Sequence, residues 1–189
     1  MFSGSGCGMI INGELYRGAE GYAGEVSVYN YKEQDHFSCE SAKPCFIKRW
    51  DLDLGILADV KKTLLAENQK AEEFFRSSSS TLENLDLKSI FNAARLKNKI
   101  ALGALEKAAK RLGIKVAYLV NLLNPQMVVI GGGFEESGEE FLNIVRGTVG
   151  DWAFRESTSN LKIVYSQLRE NAVAMGAASL VLEKVFAQL

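Results

Sequence analysis

The stretch Gly4-Ser5-Gly6-Cys7-Gly8-Met9-Ile10-Ile11-Asn12-Gly13 decides how this chain begins to fold. Gly4, Gly6 and Gly8, here called the glycine comb, lack a β-carbon, so a phosphate or another backbone segment can approach their amides closely. Asn12-Gly13 supplies the two positive-φ positions of a type I′ turn between residues 7–11 and 14–17. We therefore predict a β-hairpin that begins inside a binding site, and we expect an amino-terminal portion to precede it in the intact protein.

Composition places the chain among ordinary globular proteins: 189 residues, 47% hydrophobic and 24% charged, with a formal net charge of −1. This length allows one sizeable domain with a full core, and the balanced charge provides no long-range field for nucleic acid. We expect no secretory leader, and no uncharged run approaches the roughly 20 residues that cross a bilayer. We expect a cytoplasmic protein whose three cysteines are reduced.

Apolar periodicity predicts the order of the remaining elements. The helical period is present at residues 52–75, 87–94, 100–123, 135–149 and 171–189, and short strands are predicted at 126–130 and 161–165. Asn124-Pro125 stops the long central helix, and Gly131-Gly132-Gly133 directly follows the first of these strands, where a ligand commonly binds. The order predicts a single α/β domain over residues 1–189, with helices packed on a mixed sheet.

The same blocks resemble the ROK family, named for repressors, open reading frames and kinases. Ser3 to Met9 and Gly21 to Val28 are similar, without a gap, to the family's first block, Thr-Gly-Ile-Gly-Ala-Gly-Ile followed by Gly-Phe-Ala-Gly-Glu-Ile-Gly-His. Similarity to the family's carboxy-terminal half covers residues 90–95, 112–114, 119–133 and 176–178. Several blocks in the right order are far more specific than a lone glycine motif.

The resemblance implies an actin-like, ribonuclease-H-like ATPase lobe, the carboxy-terminal one of the usual two. The amino-terminal lobe, with its phosphate loop and catalytic aspartate, and any DNA-binding segment are expected to lie outside residues 1–189. Gly4, Gly6 and Gly8 resemble the family's second phosphate loop, and Gly131, Gly132 and Gly133 resemble its adenosine-side glycines. ATP is therefore one implied cofactor, and the alternative is that these glycines serve backbone geometry alone.

The sugar end departs from the family pattern. Glu25 matches the glutamate that hydrogen-bonds sugar hydroxyls, although it is equally interpretable as a capping or salt-bridged loop residue. Val28 stands where the family has a histidine that touches the sugar and ligates zinc, and valine does neither. Of the family's zinc motif only Cys39 and Cys45 remain, six apart instead of five, with His36 as a third candidate ligand. Tetrahedral zinc needs a fourth, so we expect that zinc has been lost.

Other catalytic patterns find little support in the sequence. A single histidine in a degenerate motif does not favour a Ser-His-Asp or Cys-His arrangement. Paired acids such as Glu135-Glu136 and Glu139-Glu140 are interpreted as solvated helix surfaces or helix starts. Cys7, where the family has alanine, is interpreted as a small packing residue. We assign no catalytic residue.

Three functions remain open. The first is the effector-sensing and dimerising half of a sugar-responsive ROK transcriptional regulator: a homodimer that binds a small sugar or sugar phosphate and contacts neither nucleic acid nor membrane through these residues. The alternative is the carboxy-terminal lobe of an ATP-dependent kinase for a hexose or N-acetylhexosamine, inactive alone. A remnant that only dimerises is the third. We expect no sugar phosphorylation by this chain by itself.

Overall fold

The computed structural model of the chain describes residues 6–26, 55–66, 68–78 and 80–186. Two compact units are present, Met1–Gly55 and Ile56–Leu189. Several predicted site residues lie outside the described residues: Gly4, Val28, His36, Cys39 and Cys45. Along the part of the chain that is described, no helix is both long and apolar enough to cross a membrane.

The described part of the first unit is built on the predicted hairpin. Strand β1 (Ile10–Ile11) pairs antiparallel with β2 (Glu14–Leu15), with Ile10 opposite Leu15. Asn12 and Gly13 have φ values of 55° and 86°. Both turn residues are therefore left-handed, as a type I′ turn requires, and the hairpin prediction is confirmed.

The second unit alternates helices with two strands. In chain order its elements are α1 (Ile56–Ala66), α2 (Asn68–Ser78), α3 (Leu87–Arg95), α4 (Lys99–Leu123), β3 (Met127–Ile130), α5 (Glu139–Trp152), α6 (Arg155–Thr158), β4 (Lys162–Tyr165) and α7 (Ala172–Phe186). The helical period predicted over residues 52–75 corresponds to α1 and α2. The long central helix is confirmed as α4, which ends at Asn124 in a left-handed conformation (φ 44°) before Pro125.

One boundary differs from the prediction. The helical period expected to begin at Glu135 is interrupted, because residues Phe134–Ser137 form a 3-10 turn and α5 begins only at Glu139. Gly138 separates the two with φ 88° and ψ 170°, a backbone conformation that no helix contains. The short turn therefore belongs to the glycine-rich segment after β3 and not to α5.

The core of the second unit lies where α4 crosses α5. Fully buried side chains from five helices fill it: Ile56, Val60, Phe74, Ile90, Val120, Leu142, Val145 and Val149. At the crossing, a β-carbon on Gly113 would lie 2.5 Å from the Cβ of Thr148, so glycine permits the close approach of the two helices. The ion pair between Arg111 of α4 and Asp59 of α1, at 3.1 Å, adds a polar contact beside this core.

Strands β3 and β4 form a parallel pair, from Met127 opposite Lys162 to Ile130 opposite Tyr165. Arg146 of α5 holds the pair from one side by donating to the carbonyl oxygen of Ile163 through Nε (3.0 Å) and Nη2 (2.8 Å). Parallel strands joined through helices define the α/β class that was predicted. Because the strands run in the same direction, their carboxyl ends meet at one edge.

Candidate functional site

In the first unit, the backbone brings Gly6 of the glycine comb against Glu25. The amide of Cys7 donates to the carbonyl oxygen of Gly24 at 2.9 Å, and Gly6 pairs with Glu25 in an antiparallel bridge. Gly24 has φ +97°, and a β-carbon there would lie 1.8 Å from the carbonyl oxygen of Cys7. A side chain at this position would push the two segments apart, so glycine is needed to keep Glu25 opposite Gly6.

Space remains open around this bridge. Among the described residues, no atom lies within 4 Å of the position that a β-carbon would take at Gly6 or Gly8. Glu25 is exposed and is therefore accessible to a ligand. The loop that leads to it turns back on itself, with Ala23 donating to the Arg17 carbonyl oxygen at 3.0 Å. Glu25 and Gly6 thus lie side by side on an accessible surface.

Cys7 lies between the comb glycines and is half-buried. Burial raises the pKa of its thiol, since the thiolate would lose solvation. The thiol lies 3.9 Å from the carbonyl oxygen of Gly8. A protonated thiol is a weak nucleophile, so these surroundings favour a packing role for Cys7.

In the second unit, Gly131-Gly132-Gly133 follows β3 at the carboxyl edge of the parallel pair. Gly132 and Gly133 have φ values of 79° and 91°, which side chains rarely adopt. The pairing continues one step beyond β4, since the amide of Ser166 donates to the Ile130 carbonyl oxygen at 2.8 Å. We call Gly131–Gly133 the glycine turn.

Aromatic packing and an arginine hold the residues after the glycine turn. The ring of Phe134 lies between those of Phe91 of α3 and Phe141 of α5, with centroid distances of 6.3 and 5.4 Å. Arg95 of α3 donates to the carbonyl oxygen of Glu136 at 2.9 Å. The 3-10 turn is therefore fixed from two helices.

Tyr165, the last residue of β4, holds the other end of the 3-10 turn. Its hydroxyl donates to the Gly138 carbonyl oxygen at 2.8 Å and lies 2.9 Å from Ser137 Oγ. Burial is the main reason that the pKa of Tyr165 is raised, so the hydroxyl remains a donor at neutral pH. The 3-10 turn is therefore held at both ends, which gives the residues within it a defined position.

Glu135 lies within this 3-10 turn, and the sequence interpretation missed its importance. Its Oε2 accepts the amide proton of Gly133 at 2.9 Å, and its Oε1 is buried with no hydrogen-bond donor among the described residues. Of the two interpretations, helix surface or helix start, the structure agrees with the second, because Glu135 lies in the first turn of the 3-10 helix, directly over the glycine turn. A usable signal was the spacing, a carboxylate two residues after glycines able to adopt positive φ.

The two glycine segments differ in their fit to a phosphate. The comb has open space at Gly6 and Gly8, whereas the Gly133 amide already has a carboxylate acceptor. An anionic group at the glycine turn would meet a negative charge in place of a free donor. One backbone amide of the glycine turn is therefore already taken by a side chain of the protein.

Glu25 and the comb belong to the first unit and the glycine turn to the second. Glu25 thus lies beside Gly6 within the first unit. Gly131, Gly132 and Gly133 lie together within the second unit. Within the described ranges, no three His, Cys, Asp or Glu side chains are grouped so that they would hold a metal ion.

Comparison with known proteins adds the family context. A model of the ROK family matches residues 2–184. The chain is 32% identical over 179 residues to the xylose repressor of Caldicellulosiruptor bescii, covering 95% of this chain and 44% of the repressor. It is 26% identical to the glucokinase of Thermotoga maritima, covering 97% of this chain and 56% of that enzyme.

A solved structure gives the same result for the fold. The chain is similar to a ROK family glucokinase from Streptomyces griseus in complex with glucose and AMPPNP, with a TM-score of 0.75 and 25% identity, over 94% of this chain and 58% of that one. The actin-like ATPase fold expected from the sequence is confirmed. The chain spans about half the length of the curated relatives it matches.

Proposed function

Because this chain belongs to the ROK family, we propose that it is the carboxy-terminal, effector-sensing and dimerising half of a sugar-responsive transcriptional regulator. The observation that carries the proposal is the Gly6–Glu25 bridge. It holds an exposed carboxylate beside open backbone, and a carboxylate is a good acceptor for the hydroxyl groups of a sugar. We assign Glu25 as the sugar-binding residue.

A regulator is favoured over an enzyme by the residues that have changed. Val28 replaces a histidine that the family uses at the sugar, and the cysteines at 39 and 45 retain only part of a zinc motif. A sensor tolerates such changes because it needs only a difference in affinity between two conformations, whereas a kinase must also orient a reacting hydroxyl. The similarity to a xylose repressor supports the same choice.

The proposed mechanism is a shift between two conformations of the intact regulator. A sugar or sugar phosphate that contacts Glu25 and the loop of residues 18–24 stabilises a closed arrangement of the two lobes. Closure changes the spacing of paired DNA-binding segments, which lie outside this chain, and so changes operator affinity. We place the protein in the cytoplasm, and these residues themselves contact neither DNA nor membrane.

Dimerisation is proposed through α4 and its neighbours. Apolar side chains are exposed where α4 ends, with Tyr118 68% and Leu122 64% accessible, and Phe154 beside them is 64% accessible. The amide of Phe154 donates to Asn121 Oδ1 at 2.7 Å, which holds residue 154 beside the end of α4. A second copy of the chain would remove this apolar surface from water.

The second candidate is the carboxy-terminal lobe of an ATP-dependent sugar kinase for a hexose or N-acetylhexosamine. The open backbone at Gly6 and Gly8 favours it, as do the similarities to glucokinases, one of them solved with glucose and AMPPNP. In this alternative the chain needs a second lobe to phosphorylate a sugar and is inactive alone.

Calorimetry with a panel of aldoses, including xylose, glucose and N-acetylglucosamine, tests the proposal. We expect at least one sugar to bind, and we expect Glu25→Gln to weaken its binding by about tenfold or more because a charge-assisted hydrogen bond is lost. Glu14→Gln, an exposed glutamate of the same hairpin unit, is the matched control and should bind as the unmodified chain does.

Because this chain alone is expected to be inactive under both candidates, a coupled assay of ADP release separates them only when it is run on the intact protein with its second lobe. The regulator predicts sugar binding without sugar-dependent ADP release. Sugar-dependent release would favour the kinase, and equal binding by the Glu25→Gln variant would remove Glu25 from the site.

A further inference from the structure

We propose that Glu135 closes the glycine turn to anionic ligands and so excludes nucleoside phosphates from this edge of the second unit. The inference goes beyond the proposed function, because it concerns a different group of residues and does not depend on which sugar, if any, Glu25 binds. It assigns a specificity-determining role to a side chain that no sequence motif marked.

Glu135 already occupies the backbone of the glycine turn. The amide of Gly133 is the donor that a positive-φ glycine offers at such a turn, and Oε2 of Glu135 accepts it at 2.9 Å. The other carboxylate oxygen extends toward Gly131, where a β-carbon would lie 3.6 Å from Oε1. A single carboxylate therefore covers the turn from its first glycine to its third.

Glu135 also places a negative charge at the glycine turn. Glu135 Oε1 is buried and has no hydrogen-bond donor among the described residues. A phosphate that approached the same amides would come close to a carboxylate oxygen that is poorly screened by water, and the two negative groups would repel each other. A neutral ligand group would not meet this repulsion. The glycine turn therefore selects against a ligand group because it is negatively charged, and not because of its size.

The backbone that carries Glu135 is held in place on both sides. Phe134, its neighbour, packs between two other aromatic rings. On the other side, the Glu136 carbonyl oxygen accepts from Arg95 at 2.9 Å and Gly138 accepts from Tyr165 at 2.8 Å. The backbone that carries the carboxylate is thus held at both ends, so an incoming anion would have to displace the side chain alone.

Titration of the full chain with inorganic tripolyphosphate and with a non-hydrolysable ATP analogue, followed by calorimetry, tests this proposal. We expect the unmodified chain to bind both anions only weakly at the glycine turn. Glu135→Ala removes both the charge and the acceptor, and it should bind at least about tenfold more tightly than the unmodified chain. Glu135→Gln keeps an acceptor for the Gly133 amide but removes the charge, so it should show a smaller gain.

The control is Glu136→Ala, which removes an equal charge from the next residue, whose carboxylate lies 3.9 Å from Arg95. It should bind no better than the unmodified chain. Amide hydrogen exchange at Gly133 provides an independent readout, since it should become faster in Glu135→Ala and stay unchanged in Glu136→Ala.

Three results would overturn the proposal. One is binding of the anions by the unmodified chain as tightly as by Glu135→Ala, and another is an equal gain by Glu136→Ala, which would indicate a general charge effect. Failure of both Glu135 variants to gain binding would show that another group excludes the anion. Sugar binding measured on the same samples reports on the proposed function separately.

Discussion

The backbone of Gly24 passes so close to Cys7 that a β-carbon on Gly24 would lie 1.8 Å from the carbonyl oxygen of Cys7. The same two residues are joined by a hydrogen bond of 2.9 Å from the Cys7 amide to the Gly24 carbonyl oxygen. Glu25 follows directly in the chain. The absence of a side chain at residue 24 therefore sets the position of Glu25, the candidate sugar-binding residue. The position of the Glu25 carboxylate thus depends on the glycine before it.

Gly24→Ala should therefore separate the two segments. Its β-carbon has no room and its φ of +97° is unfavourable for alanine, so we expect a local loss of about 2 kcal/mol or more. Hydrogen exchange of the Cys7 amide should become roughly thirtyfold faster, since each 1.4 kcal/mol is a factor of ten. Gly21→Ala has a similar φ of +83° but open space among the described residues, and it should have a smaller effect.

The crossing of α4 and α5 predicts opposite results for two glycines of one helix. Gly113→Ala places a β-carbon 2.5 Å from Thr148 Cβ, and this overpacking should destabilise the protein by about 1–3 kcal/mol. Gly103 of the same helix has no described atom within 4 Å of its β-carbon position, so Gly103→Ala should stabilise the protein by about 0.5–1 kcal/mol. Urea denaturation measures both, and equal signs would contradict the described crossing.

Asp86 predicts a pH dependence. It caps α3 by accepting from the Ser89 hydroxyl (2.5 Å) and amide (2.8 Å), and these hydrogen bonds lower the pKa of Asp86. A carboxyl whose pKa is lower in the folded state stabilises the fold above its unfolded pKa of about 3.9 and loses that contribution as the pH falls through the folded pKa. Asp86→Ala should cost about 1 kcal/mol at neutral pH.

The difference between Asp86→Ala and the unmodified chain should shrink in urea titrations as the pH falls below about 4. Asp86→Asn is the control, because asparagine also caps helices but does not titrate. A constant difference between the alanine variant and the unmodified chain down to about pH 2 would contradict an ionised cap.

Leu122→Glu tests the proposed dimer surface on α4. The charge would be buried between two copies, so we expect the dimer dissociation constant to rise by about tenfold or more in sedimentation experiments. Leu65→Glu is a matched control, since Leu65 of α1 is 69% exposed. A monomeric unmodified chain at micromolar concentration, or equal effects of the two changes, would reject this surface.

The sequence by itself determined the hairpin, the long helix and the strand that precedes the glycine turn. Asn12-Gly13 and Asn124-Pro125 act through local backbone preferences, and the apolar period of residues 100–123 is that of a helix with one buried face. The α/β class and the family resemblance followed from the order of these local signals. They could be predicted because each depends on residues close together in the chain.

Only the tertiary structure decided which side chains meet. The pairing of Gly6 with Glu25 depends on backbone segments 19 positions apart, and the close approach of Gly113 to Thr148 depends on how two helices cross. In the sequence, Glu135 is one of several acids at predicted helix surfaces or starts. In the structure, it lies in a 3-10 turn that ends at Gly138, and its carboxylate accepts from the Gly133 amide. The first two contacts join segments that are distant in the chain, and the third depends on the packing that holds the 3-10 turn. Local residue preferences do not encode such packing.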